Sequence, residues 1–105
     1  MSASSYTLIM STLLGTGLPC AYSHFKTKQE PPYLVYIGNG QDALEADNTH
    51  YWRENRYQVE YYFTKKNEST EASIEDALLG AGFQYEKSED IYLEEQNVFL
   101  IYYYI

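Results

Sequence analysis

Side chains able to act in catalysis or metal binding are few and widely spaced in this 105-residue sequence. There are two histidines, His24 and His50, and one cysteine, Cys20. A zinc site takes about four closely spaced Cys, His or carboxylate ligands, which these three residues do not supply. No nucleophile stands beside a plausible base, so we expect a protein without catalytic residues, cofactor or metal. We interpret Cys20 as a small core residue rather than a reactive thiol.

Carboxylates dominate the charge, with 15 acidic residues against 7 Lys and Arg and a formal net charge of -8. Specific binding to nucleic acid is not expected, because phosphate binding requires a basic surface. Adjacent acids such as Glu75-Asp76 and Glu94-Glu95 point apart on a helix or strand, which makes them poor catalytic pairs. The acidic excess is typical of a soluble surface, or it lines a channel that DNA crosses without binding.

The composition is unusual in its content of aromatic residues, because the chain contains 13 tyrosines. Tyrosine favours strands and interfaces because its ring is apolar and its hydroxyl is polar. Tyr61-Tyr62-Phe63 and residues 98–105 carry such side chains at consecutive positions, hence on both faces of a strand. One face can pack on helices. The other is either wrapped by the rest of the chain or covered by a partner sheet, and we favour self-association.

Hydrophobic periodicity predicts a single α+β domain over residues 1–105, a mainly antiparallel sheet with two helices packed on one face, in the order α-β-β-β-α-β-β. The first helix is indicated by a stripe formed by Tyr6, Ile9, Met10, Leu13 and Leu14. The second helix begins at Ser69 or Thr70 and buries Ile74, Ala77, Leu78 and Ala81. Strands are predicted at 20–25, 33–37, 51–64, 83–87 and 91–105, the last with a polar middle.

Gly38-Asn39-Gly40 is a strong turn signal, and it lacks the further glycine or lysine of a nucleotide-binding loop. We therefore expect the strand at 33–37 to end there and a polar, acidic loop to follow from Gln41 to Asn48. The apolar residues before Cys20 are interrupted and lack a basic flank, so we expect neither a signal peptide nor a membrane span.

A series of short residue groups is ordered along nearly the whole chain. These groups are Gly17-Leu18-Pro19 with Ala21-Tyr22 and Phe25, Pro31-Pro32-Tyr33-Leu34-Val35-Tyr36, Ala46-Asp47-Asn48 with Tyr51, Tyr57-Gln58-Val59-Glu60-Tyr61-Tyr62, Glu71 with Ile74-Glu75 and Leu78, Tyr85-Glu86-Lys87, and Tyr92-Leu93-Glu94-Glu95. Their order and spacing resemble a family of small phage and prophage proteins from long, non-contractile-tailed phages of Gram-positive bacteria. That family is similar to tail-terminator, or tail-to-head joining, proteins.

The resemblance implies a homo-oligomer, a hexameric ring that caps the tail tube, meets the head connector protein and lets DNA pass through its lumen. It also implies a place in the virion tail after assembly in the bacterial cytoplasm, with no membrane contact. We expect the subunit contact to come from sheet edges and aromatic strands, at Tyr61, Tyr62, Phe63, Phe99, Ile101, Tyr102, Tyr103 and Tyr104. We expect the lumen or tail-facing loop to present Asp42, Glu45, Asp47 and Asn48, the last two of which alternatively cap a turn.

Two other functions remain open from the sequence. One is another head–tail connector or minor capsid component with a similar fold. The other is an acidic DNA mimic that inhibits a host enzyme, which would need carboxylates spaced like phosphates on one face. The basic residues at Lys65-Lys66, Arg53 and Arg56 make such a face less expected.

Overall fold

Residues 5–46 and 50–105 are described by the computed structural model of the chain. Within these ranges the predicted α+β class and element order are confirmed, with two helices and a six-stranded, mostly antiparallel sheet. The elements are α1 (Ser5–Leu14), β1 (Cys20–Tyr22), β2 (Tyr33–Ala46), β3 (His50–Phe63), α2 (Glu68–Gly80), β4 (Glu86–Lys87), β5 (Ile91–Leu93) and β6 (Val98–Tyr104). The predicted strand over 91–105 is a hairpin, because its polar middle forms the turn between β5 and β6.

The sheet has the order β1-β2-β3-β6-β4, and β5 also pairs with β6. Only β1 and β2 run parallel; the other pairs are antiparallel. β6 is flanked by β3 on one side and by β4 and β5 on the other. This central position explains why apolar and aromatic residues follow one another without interruption along β6.

Both helices bury a narrow apolar stripe against one face of the sheet. Ile9 and Leu13 of α1 and Ile74 and Leu78 of α2 are fully buried in the core. The rest of the predicted α1 stripe is on the surface, since Tyr6, Met10 and Leu14 are exposed. The burial of this helix therefore depends on residues spaced by four, one above the other.

Helix α2 begins at Glu68, one to two residues earlier than predicted. The side chain of Asn67 accepts hydrogen bonds from the backbone N–H groups of Ser69 (3.0 Å) and Thr70 (3.2 Å). Asn67 is therefore the N-cap, which satisfies two N–H groups that have no partner inside the helix.

Gly38-Asn39-Gly40 does not end a strand, and this prediction was wrong. β2 continues to Ala46, and the register against β3 shifts between Gly38 and Gln41, where β2 contains one residue more than β3. Gly40 takes a positive φ of 88°. These are the features of a β-bulge, which bends a strand and increases its twist. Residues 41–46 of the predicted loop are thus strand, paired with residues 50–55; we call this part the distal ribbon.

The two long strands set the shape of the molecule, which measures 50 × 27 × 26 Å. A strand of 14 residues spans about 46 Å, close to that longest dimension. The radius of gyration is 15.0 Å, larger than the roughly 13 Å expected for a compact domain of this length. The chain is therefore elongated along β2 and β3.

Replacing Gly40 with alanine is expected to lower the free energy of unfolding by about 1 kcal/mol. A Cβ atom at this position would meet nothing within 4 Å, so the cost comes from the positive φ alone. Gly80→Ala is the matched control, because its Cβ also meets nothing within 4 Å and its φ is not in the positive region. Urea denaturation of both variants checks this, and equal stability of the two would contradict it.

No helix in the described ranges is both long and apolar enough to cross a lipid bilayer.

Candidate assembly interface

The alternation of side chains along β3 and β6 divides the predicted interface residues between the two faces of the sheet. Tyr61, Phe63, Ile101 and Tyr103 point toward the helices and are at most 2% exposed. Side chains enclosed in this way cannot contact another copy, so the prediction was wrong for these four. Phe99 is on the same side, partly buried against Phe63 with ring centroids 5.4 Å apart.

On the opposite face of the sheet no helix of the described residues packs, and this face holds the remaining predicted residues. Tyr62, Tyr102 and Tyr104 are partly exposed there, and the register places Tyr33 beside Tyr62 and Glu60 beside Tyr102. We call this surface the tyrosine face: Tyr33, Glu60, Tyr62, Tyr102 and Tyr104. It corresponds to the sheet face that the sequence predicted not to pack on the helices.

The rings of the tyrosine face stack in pairs, with the carboxylate of Glu60 between them and Glu86 in register with Tyr104 at the edge. Tyr33 and Tyr62 stack with centroids 4.9 Å apart, and Tyr102 and Tyr104 stack at 5.7 Å. Glu60 accepts a hydrogen bond from the Tyr62 hydroxyl at 2.7 Å. Burial, and then this bond to a carboxylate, raise the pKa of Tyr62, so the phenol stays protonated.

A cavity of about 640 Å³ opens at one end of the tyrosine face, and we call it the end groove. Its floor is formed by Tyr33, Val35 and Tyr62, and its walls are the segment 23–31 and residues 95–98 of the last hairpin. The ring of Phe25 meets Tyr33 edge to face at 5.2 Å, which holds the first wall on the sheet. The helix-free face is therefore partly covered by its own chain at this end.

The wall segment carries two lysines without an ion pair to any described residue. Lys28 lines the groove and Lys26 is two residues away; in the described ranges no carboxylate lies within ion-pair distance of either amino group. Lys66 and Lys87, in contrast, each contact two carboxylates. The groove lining combines Lys28 with two carboxylates, Glu30 and Glu95, so its lysine is not in excess over acidic residues.

The sequence did not predict a contact between the hydroxyl of Ser23 and the imidazole of His24, although the two residues are adjacent in the chain. Ser23 Oγ lies 3.0 Å from Nδ1 of His24, at the edge of the groove, and Ser23 has a φ of 69°. Among the described residues no carboxylate contacts the imidazole to orient it, as a nucleophile–base pair usually requires.

Cys20 packs partly buried against the core, as predicted, and burial raises the pKa of its thiol. A raised pKa leaves less thiolate, which is the reactive form. The described residues contain no group of three or more His, Cys, Asp or Glu side chains placed to hold a metal ion.

The residues predicted to face a lumen or tail fall on the distal ribbon or outside the described ranges. Asp42 pairs in register with Glu54, and Glu45 with Tyr51, so both belong to β2 rather than to a loop. Asp47 and Asn48 lie outside the described residues. No protein-family model matches this chain, and no curated protein matches it.

Proposed function

We propose that this protein is a non-catalytic assembly protein whose copies close into a ring, and that the ring caps a phage tail tube and joins it to the head connector. The observation that carries the proposal is the presence of two unlike surfaces outside the core, the tyrosine face and the distal ribbon. A ring requires contacts in which one patch meets a different patch on the next copy. The placement in a phage tail rests on the resemblance in the order of residue groups.

The tyrosine face has the composition of a buried protein contact. Aromatic residues are enriched and charged residues depleted at interface centres. Here four tyrosines surround Glu60, which already accepts hydrogen bonds from Tyr62 and Gln58, while the carboxylate of Glu86 lies at the edge, in register with Tyr104. Such a face costs little to dehydrate, because Glu60 keeps both partners when water leaves.

The distal ribbon lacks the support that a two-stranded hairpin needs. Its strands, 41–46 and 50–55, have no other strand paired to them in the described ranges. An isolated hairpin is marginally stable in water, and unpaired strand edges readily add a further strand or surface. A neighbouring copy would supply what the ribbon lacks.

The proposed ring accounts for the acidic composition without assigning a nucleic-acid site. A formal charge of -8 on every copy would repel DNA phosphates from a lumen, so that the genome passes without stalling. The partners are then a tail-tube protein and a head connector protein, within the virion tail, after assembly in the bacterial cytoplasm.

Size measurements test the ring. We expect light scattering after chromatography to give a multiple of 12.2 kDa that grows with concentration, and electron microscopy to show annuli, alone or on the ends of tail tubes. Tails made without the protein are expected to be overlong or unable to join heads. A strict monomer that also leaves tubes uncapped, together with normal virions in its absence, would refute the proposal.

A further inference from the structure

We infer that Glu60, among the rings of the tyrosine face, binds an ammonium group of a neighbouring copy, and that Lys26 or Lys28 supplies it. The occupant of the tyrosine face is thus a second copy of this chain. This rests on the proposed ring and names one ion pair that holds its subunits together.

The carboxylate of Glu60 is held in place by two neutral donors, which orient it without cancelling its charge. Oε1 accepts a hydrogen bond from the Tyr62 hydroxyl at 2.7 Å, and Oε2 accepts one from the Gln58 amide at 2.8 Å. Each carboxylate oxygen can accept a further hydrogen bond, and Glu60 is partly exposed. No described lysine or arginine forms an ion pair with it. The carboxylate is therefore fixed in position and open to a cation.

The rings around Glu60 add to its attraction for a cation. Burial raises the pKa of Tyr33 and of Tyr102, and the charge of Glu60 raises both further, so both phenols lie near enough to interact with it. The face of a tyrosine ring attracts an ammonium or guanidinium group. A carboxylate among protonated phenols therefore favours a cationic side chain over an apolar one.

Covering the tyrosine face with another copy makes a counter-charge necessary. The hydrogen bonds from Tyr62 and Gln58 remain when water leaves, so what is left to compensate is the negative charge of Glu60 itself. A carboxylate buried without an opposite charge opposes association. The covering surface therefore has to bring a cation to Glu60.

The segment 24–28 can provide this cation. It contains Lys26 and Lys28 and no carboxylate, and both lysines are exposed. Glu30 and Glu95 line the end groove together with Lys28, but neither lies within ion-pair distance of a lysine. The ammonium groups of the segment are thus open to a carboxylate that a second copy presents.

The position of the segment agrees with this assignment. It forms a wall of the end groove, on the same helix-free side of the sheet as the tyrosine face. Lys65 also has no ion pair in the described ranges, but it lines a cavity with Tyr61 and Phe63, which belong to the core side. The segment and the tyrosine face are two different patches, so a contact between them can join copies head to tail, as a ring requires.

Complementary charge reversal tests the ion pair between copies. One full-length variant carries Glu60→Lys, and the other carries Lys26→Glu with Lys28→Glu. We expect each variant alone to raise the concentration for half-association by about tenfold or more, because like charges then face each other. The equimolar mixture is expected to associate as the wild type does, since each variant supplies the charge that the other needs. Light scattering over a concentration series measures all three samples.

Matched controls separate the ion pair from a general effect of charge or folding. Glu86→Lys makes the same change at the edge of the tyrosine face, and Lys65→Glu makes the same change on the core side; neither is expected to be rescued by mixing. Glu60→Gln keeps the shape of the side chain and removes its charge, and it too is expected to weaken association by about tenfold. Urea denaturation at low concentration verifies that each variant is folded.

The outcomes distinguish this inference from the proposed ring. Association of Glu60→Gln at the wild-type concentration would overturn the inference and leave the ring standing, and so would a lysine variant that associates normally or a mixture that is not rescued. Wild-type protein that is monomeric at every concentration and leaves tail tubes uncapped would overturn both.

Discussion

Tyr103→Ala is expected to lower the free energy of unfolding by about 4 kcal/mol, while Tyr102→Ala, one position earlier, lowers it by about 1 kcal/mol or less. Tyr103 is 0% exposed among the residues that α1 and α2 cover, and its hydroxyl donates a hydrogen bond to Glu75 at 2.9 Å. Truncation removes the buried ring and leaves a cavity. Tyr102 is on the tyrosine face, partly exposed and stacked on Tyr104.

We expect self-association of the protein to be weakened more by Tyr102→Ala than by Tyr103→Ala, the opposite of their effects on stability. Tyr102→Ala removes a ring from the proposed contact, so we expect the concentration for half-association to rise about tenfold, while its urea midpoint at low concentration changes little. Tyr103→Phe is the control for the core, because it keeps the ring and loses the bond to Glu75, at a cost of about 1 kcal/mol. Equal destabilisation by the two alanine variants would contradict the division of the sheet into a core face and a tyrosine face.

The strands that form the centre of the sheet could be predicted because their side chains alternate with period two. Val59, Tyr61 and Phe63 share one face, and all three are buried. What the sequence left open was which face of β6 the helices cover, since Tyr102, Tyr103 and Tyr104 are chemically identical. The register decides this: Tyr103 pairs with Val59 on the core side, and Tyr102 pairs with Glu60.

The extent of β2 could not be predicted because its second half is stabilised by a partner distant in sequence. Gly38-Asn39-Gly40 has the composition of a turn, and residues 41–46 contain Asp, Glu and Ala, which are depleted in strands. Pairing with residues 50–55 of β3 overrides these local preferences. A bulge and a turn use the same residues, and only the pairing on both sides distinguishes them.

The ion-pair network around α2 also could not be predicted from local sequence patterns. The position of Glu71 in the first turn of α2 suggested only a favourable interaction with the helix dipole. In the fold it contacts Lys66, which precedes the helix, and Lys87 of β4, so its partners come from two different elements. Residues 16 positions apart meet here because β4 folds back beside β6.

Glu71→Gln is expected to lower the free energy of unfolding by about 2 kcal/mol at pH 7. Glu71 is 2% exposed, and its two oxygens contact Lys66 Nζ at 2.7 Å and Lys87 Nζ at 2.9 Å. The glutamine amide keeps the shape of the side chain but loses both charge-assisted contacts, to Lys66 and to Lys87. The loss stays below that of a fully buried pair, because the Lys66 and Lys87 side chains remain 45% and 34% exposed and can be hydrated.

The same substitution changes how stability depends on pH. Burial alone would raise the pKa of the Glu71 carboxyl, but hydrogen bonds and charge from Lys66 and Lys87 outweigh it, and the pKa lies below its usual value. A carboxyl with a lowered pKa contributes its full stabilisation above the unfolded pKa of about 4.3 and loses it as the pH falls through the folded value.

The difference in unfolding temperature between the wild type and Glu71→Gln should therefore be constant from pH 7 to about pH 5 and shrink toward zero below about pH 4. Calorimetry at several pH values measures it. Glu68→Gln is the matched control, an exposed carboxylate in the same helical turn without an ion pair in the described part of the chain, and its difference from the wild type should stay small throughout. A Glu71→Gln difference in unfolding temperature that persists unchanged at pH 3 would contradict this prediction. The stabilisation by Glu71 would then come from packing and not from the negative charge that protonation removes.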